Sequence, residues 1–95
     1  MIIDLEMAKR QLGRIDDSDD DRIMRELDAA VSIVIDYLKV DSDEYEDSNG
    51  DNDFPTLVGA SVLLVLQSLY ETPDRDPLTE AVVSILRRSR DPAIA

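Results

Sequence analysis

Between Leu57 and Tyr70 the chain gives a helix almost no polar side. Leu57, Val58, Ala60, Val62, Leu63, Leu64, Val65, Leu66 and Leu69 fall nearly all round the helical period, and a helix apolar on all sides has to be covered. The segment is too short to span a bilayer, and Gly59, Ser61, Gln67 and Ser68 interrupt it. It must therefore stand at the centre of the fold or partly in an interface between subunits. Phe54-Pro55 opens it, with Pro55 near the first helical position, where a missing N–H costs nothing.

Three further helices can do the covering. The first is expected to start after Asp4, a good N-cap, and to run to about Gly13, a residue suited to a helix stop. Leu5, Ala8 and Leu12 make its apolar stripe. The second is expected from about Asp19 to Val40, roughly 30 Å at 1.5 Å per residue. Ile23, Leu27, Ala30, Val31, Val34 and Leu38 keep its period. Ile33 and Tyr37 widen that face, so this helix is expected to contact more than its own core. Asp17 or Ser18 can cap it, with Asp20 and Asp21 against the positive end of its dipole. Asp21 with Arg25, and Arg22 with Glu26, are i, i+4 pairs on the wet face.

The fourth helix follows the turn Glu71 to Pro77, with Asp76 as cap and Pro77 at its first position. Leu78, Ala81, Val82, Ile85 and Leu86 form its stripe. Asp91-Pro92 is expected to stop it, leaving Ala93, Ile94 and Ala95 as a loose tail. No stretch alternates as a strand would, and no segment repeats. The expectation is one all-α domain over residues 1–95, a small bundle of about four helices.

A long acidic loop should join the second and third helices. Residues 41–53 hold seven acids and no base, so they supply -7 of a net charge of -12. Such a run repels itself and cannot bury itself, which predicts a mobile surface loop. Without it the helical body carries only -5, the difference of those two figures.

Composition removes several classes of chemistry. The chain has no Cys and no His, so thiolate chemistry, disulfides and the usual proton switch near neutral pH are absent. No basic segment leads into an apolar run at the N-terminus, and no signal peptide is expected. The negative charge opposes binding to phosphates and to anionic membranes. It suits a basic partner, or a passage that DNA traverses without sticking.

The acid runs invite a metal hypothesis, which the spacing fails. A calcium loop needs Gly at its sixth position and Glu at its twelfth. Counted from Asp47, Gly50 is fourth and Val58 twelfth; counted from Asp41, Glu46 stands where Gly is needed. Paired carboxylates in exposed runs lack the cleft that would separate their pKa values. No metal, cofactor or catalytic residue is expected, and no enzyme.

Arg87, Arg88 and Arg90 form the one tight basic cluster. Their plain role is to compensate a helix C-terminus; the sharper one is contact with an acidic neighbour such as the next subunit. Tyr37 and Tyr70 lie on apolar faces and read as core. Tyr45 lies in the acidic loop, and its side chain is expected to be mobile.

The order of these segments resembles the head–tail connector family of long-tailed phages, of the lambdoid type. Leu5-Glu6-Met7-Ala8-Lys9-Arg10-Gln11-Leu12 is similar to its first helix. The acidic junction Asp17 to Asp21, opening into Arg22-Ile23, is similar to the start of its second helix, as are Ala29-Ala30 and Tyr37-Leu38 further along. Pro55, Leu69-Tyr70-Glu71 and the closing Ile85-Leu86-Arg87-Arg88-Ser89-Arg90 continue the pattern. The likeness covers nearly the whole chain, and the long acidic loop departs from it.

That resemblance implies a structural adaptor, commonly twelve-fold in the virion, between the portal and the tail. The expected partners are copies of itself, the portal protein and tail or head-completion proteins, with DNA only as passing cargo. The expected place is the virion neck, after assembly in the host cytoplasm. Subunit or partner contacts are expected at Asp17, Asp19, Asp20, Ile33, Tyr37, Arg87, Arg88 and Arg90. The alternative is a small acidic protein-binding module, antitoxin-like or a DNA mimic.

Overall fold

The structure, a computed structural model, describes residues 1–90, the side chain of Arg90 excepted. The expected stop at Asp91-Pro92 and the tail from Ala93 to Ala95 lie outside the described residues. Four helices follow one another: α1 (Leu5–Leu12), α2 (Asp20–Leu38), α3 (Thr56–Glu71) and α4 (Glu80–Arg90). The fold is all-α, a small bundle flattened to 43 × 33 × 19 Å.

The apolar segment takes the central place its composition demands. α3 packs against α1, α2 and α4. Val58, Val62, Val65 and Leu66 have no accessible surface. Each such side chain contributes about 1.5–3 kcal/mol by leaving water. Around them lie Ala8 and Leu12 of α1, then Ile23, Leu27, Ala30, Val34 and Leu38 of α2, and Val82 and Leu86 of α4. The polar interruptions are satisfied. Ser61 Oγ, fully buried, donates to the Leu57 carbonyl at 3.0 Å, and Gln11 Nε2 donates to Gln67 Oε1 at 2.8 Å, tying α1 to α3. The covering is incomplete: Leu57 is 39 % exposed, and Leu63, Leu64 and Leu69 are half-buried.

α1 starts and stops as its sequence requires. Asp4 Oδ1 accepts from the Met7 amide at 2.9 Å, and Gly13 closes the helix at φ 69, a conformation that side chains disfavour. The other helices correct the expected boundaries. α2 begins one residue late, with Asp19 at the cap position but giving no side-chain cap bond. Neither Asp17 nor Ser18 caps it; Ser18 instead donates through N and Oγ to Asp16 Oδ1, at 3.1 and 2.6 Å. α2 ends at Leu38 rather than Val40, because Lys39 turns left-handed at φ 56. Pro55 stands at the cap position of α3, not inside it. α4 begins at Glu80: Thr79 Oγ1 accepts from the Val82 amide at 3.3 Å, while Asp76 Oδ1 takes the Leu78 amide at 2.9 Å in the preceding turn. Ala81, expected in the α4 stripe, is exposed.

The acidic stretch stays on the surface and carries internal order that composition does not announce. Glu46 and Asn52 form an antiparallel bridge around a turn with Gly50 at φ 81. Asp47 Oδ1 accepts from the amides of Asn49 and Asp51, at 2.8 and 3.1 Å. The Asp53 amide donates to the Tyr45 carbonyl at 2.8 Å. Tyr45 is half-buried, its ring edge-on to Phe54 at 5.7 Å between centroids, so the expected mobile side chain is a packed one. The loop exit is held to the chain start: the Phe54 amide donates to the Met1 carbonyl at 2.8 Å, and the Met1 ammonium meets Asp53 Oδ1 and the Phe54 carbonyl. The Met1 side chain lies over Gly59, in the space a Cβ there would need.

Candidate interaction surface

The residues expected at a partner contact fall into three places. Asp17, Asp19 and Asp20 gather at the junction of α1 and α2, where their charge is answered from within. Lys9 Nζ reaches Asp17 Oδ1 at 2.8 Å and Asp20 Oδ1 at 2.9 Å, with its own side chain only 13 % exposed. Arg14 lies 3.5 Å from Asp16 Oδ2 and 3.8 Å from Asp19 Oδ2. Tyr70 donates its hydroxyl to Asp19 Oδ2 at 2.5 Å. Arg22 covers the Tyr70 ring at 4.3 Å, donates to the Tyr70 carbonyl at 3.1 Å and pairs with Glu26 at 3.2 Å. Of the two expected i, i+4 pairs, Arg22–Glu26 is formed; Asp21 and Arg25 do not meet within 4.0 Å. The junction is thus a clasp that fixes α1 and the end of α3 to α2.

The clasp leaves its mark on the ionisable groups. Hydrogen bonds to Asp17 and then Asp20 raise the Lys9 ammonium above its ordinary 10.5. The hydrogen bond to Asp19 raises the Tyr70 phenol above 10.0. The Ser18 hydroxyl and then its amide hold the Asp16 carboxyl below 3.8. The first two shifts are upward, so their stabilisation is complete below the unfolded values and is lost as pH rises through the folded ones. Stability measured by urea unfolding should therefore fall above pH 10, and Lys9→Met should flatten that fall. An identical alkaline slope in the variant would remove Lys9 from the clasp.

Ile33 and Tyr37 flank the buried stripe of α2 and are half-buried against the core. Arg87 and Arg88 are exposed on α4 and form no ion pair among the described residues. The side chain of Arg90 lies outside the described residues. The structure does not bring these three sets together.

No family model matches the chain, and no curated protein or solved structure is similar enough to identify it. What can be said of the site is said by its own geometry. Among the described residues no group of three or more acidic side chains converges as a metal would require. No helix there is long and apolar enough to cross a membrane.

One surface was missed by sequence reasoning. An open groove of about 550 Å³ runs between α2 and the acidic turn, lined by Asp28, Val31, Ser32, Ile35, Asp36, Val40, Ser42 and Asn52. Its signal was present. Val31 and Ile35 form a second apolar edge beside the Leu27–Val34 stripe, and Asp28 and Asp36 frame that edge about two turns apart along the helix. Asp28 and Asp36 are exposed and make no ion pair among the described residues. Ile15, at 97 % exposure, is a single apolar side chain of the kind that needs no special account.

Proposed function

We propose that this chain is a structural subunit of an oligomeric ring that joins a phage portal to the tail and lines part of the DNA passage. The observation that carries the reading is a chain with two unlike surfaces whose charges are largely unpaired among the described residues. One is acidic, on α2 and the following turn; the other is basic, on α4. Unlike surfaces on one chain can join copies head to tail, and head-to-tail contacts make a ring where the rotation between copies closes. The order of motifs along nearly the whole sequence resembles the connector family and supports the same reading. The partners are then further copies, the portal protein, and tail or head-completion proteins, at the virion neck. An acidic wall would let DNA slide past, since there is no attraction between phosphates and carboxylates to overcome.

A second reading, a small acidic module that occupies a basic protein groove, is favoured by one feature: most carboxylates of the 41–53 turn have no internal cation. A DNA mimic would carry its acids on a rigid helical face, and here the densest acids lie in a turn. Affinity capture separates the two. The ring reading expects retention of portal protein and a mass above the monomer in sedimentation at high concentration. A strict monomer that ignores portal protein and retains a basic nucleic-acid-binding protein would overturn it.

A further inference from the structure

We infer that the groove between α2 and the acidic turn receives the Arg87–Arg88 end of α4 from a second copy of this chain. The inference rests on the ring reading above and assigns its contact. Asp28 and Asp36 stand eight residues apart on α2, about 12 Å along the axis at 1.5 Å per residue. Between them Val31 and Ile35 line the groove and are half-buried, so the surface offers two anionic posts around an apolar strip. The neighbouring turn, which lines the groove with Ser42 and Asn52, carries seven acids and no base, of which Asp53 is paired with the Met1 ammonium. A matching surface needs a positive head on an apolar stem, which is what an arginine side chain supplies.

Arg87 and Arg88 are that surface. They are adjacent and exposed on α4, and no carboxylate among the described residues is within 4.0 Å of either. Small exposed neighbours, Ala81 and Ser84, leave the approach to α4 open. α2 and α4 each pack chiefly on α3, and within one chain neither Arg87 nor Arg88 comes within ion-pair distance of an acid of the groove. The contact is therefore made between copies. The other acidic region, Asp16 to Asp20, is a poorer receptor because Lys9 and Arg14 already neutralise it.

Charge reversal tests the assignment. Two double variants are prepared, Arg87→Glu with Arg88→Glu, and Asp28→Arg with Asp36→Arg; all four positions are exposed and outside the core. The wild type should associate in sedimentation velocity as concentration rises. Each variant alone should associate at least about tenfold more weakly, roughly 1.4 kcal/mol. An equimolar mixture should recover association, because the groove kept by the first variant meets the arginines kept by the second, and their two reversed surfaces complement each other. That recovery also shows that both variants are folded. If the wild type associates and either variant does so equally well, or the mixture does not recover, the contact is overturned while the ring reading stands. A wild type that stays monomeric throughout overturns the contact, and the ring reading falls with it only when portal protein is not retained either.

Discussion

Leu66→Ala lowers the unfolding free energy by about 4 kcal/mol and the melting temperature by about 20 °C. Leu66 has no accessible surface and sits in the helix that three others pack against. Truncation removes the transfer free energy of its side chain and leaves a cavity that the surrounding helices close only in part. A domain of this size holds about 5–15 kcal/mol in all, so the loss is a large share of its stability. Leu57→Ala is the control. Leu57 belongs to the same apolar segment but is 39 % exposed, and its truncation should cost less than about 1 kcal/mol. Circular dichroism during urea unfolding measures both. Equal losses would mean that α3 is not the centre of the molecule.

Phe54→Ala costs about 3 kcal/mol and also loosens the acidic turn. Phe54 is 3 % exposed and is the aromatic on which Tyr45 rests edge-on. Burial, and then the charge of Glu44, raise the Tyr45 phenol above 10.0. Removing the Phe54 ring opens that pocket, so Tyr45 should titrate nearer 10.0 in the variant, as followed by NMR. The sign is fixed: a phenol held up by burial comes down when burial is lifted. A Tyr45 titration unchanged by Phe54→Ala would show that the turn is held by its hydrogen bonds alone. Proteolysis within residues 41–53 should quicken in parallel.

How much of this was legible depended on whether the deciding interaction was local. The four helices were, because apolar spacing reports the buried face directly. The ends of α1 were, because Asp4 and Gly13 act within one turn of themselves. The start of α4 was not, because Asp76-Pro77 and Thr79 are both good openings, and the turn uses Asp76 to hold the Leu78 amide instead. The clasp was invisible for a different reason. Lys9 meets Asp17 and Asp20 across a change of direction, and no helical spacing predicts a pair eight and eleven residues apart. The acids of Asp17 to Asp20 therefore looked free and are not. In the acidic turn the charge count was legible, and Asn49-Gly50 is a turn signal that its seven acids obscured. The groove went unread because part of its wall, Ser42 and Asn52, comes from that turn folding back beside α2.

The turn has one more consequence. Seven carboxylates within a 13-residue turn braced by the Asp47 hydrogen bonds hold a local cloud of small cations, dense next to the turn and thin around the neutralised clasp. Any basic surface that settles there displaces those ions into bulk solution. Part of its affinity is then the entropy of released salt rather than the strength of the new contact. Raising the ionic strength takes that part away first, so the medium itself sets how tightly this end of the molecule holds a neighbour.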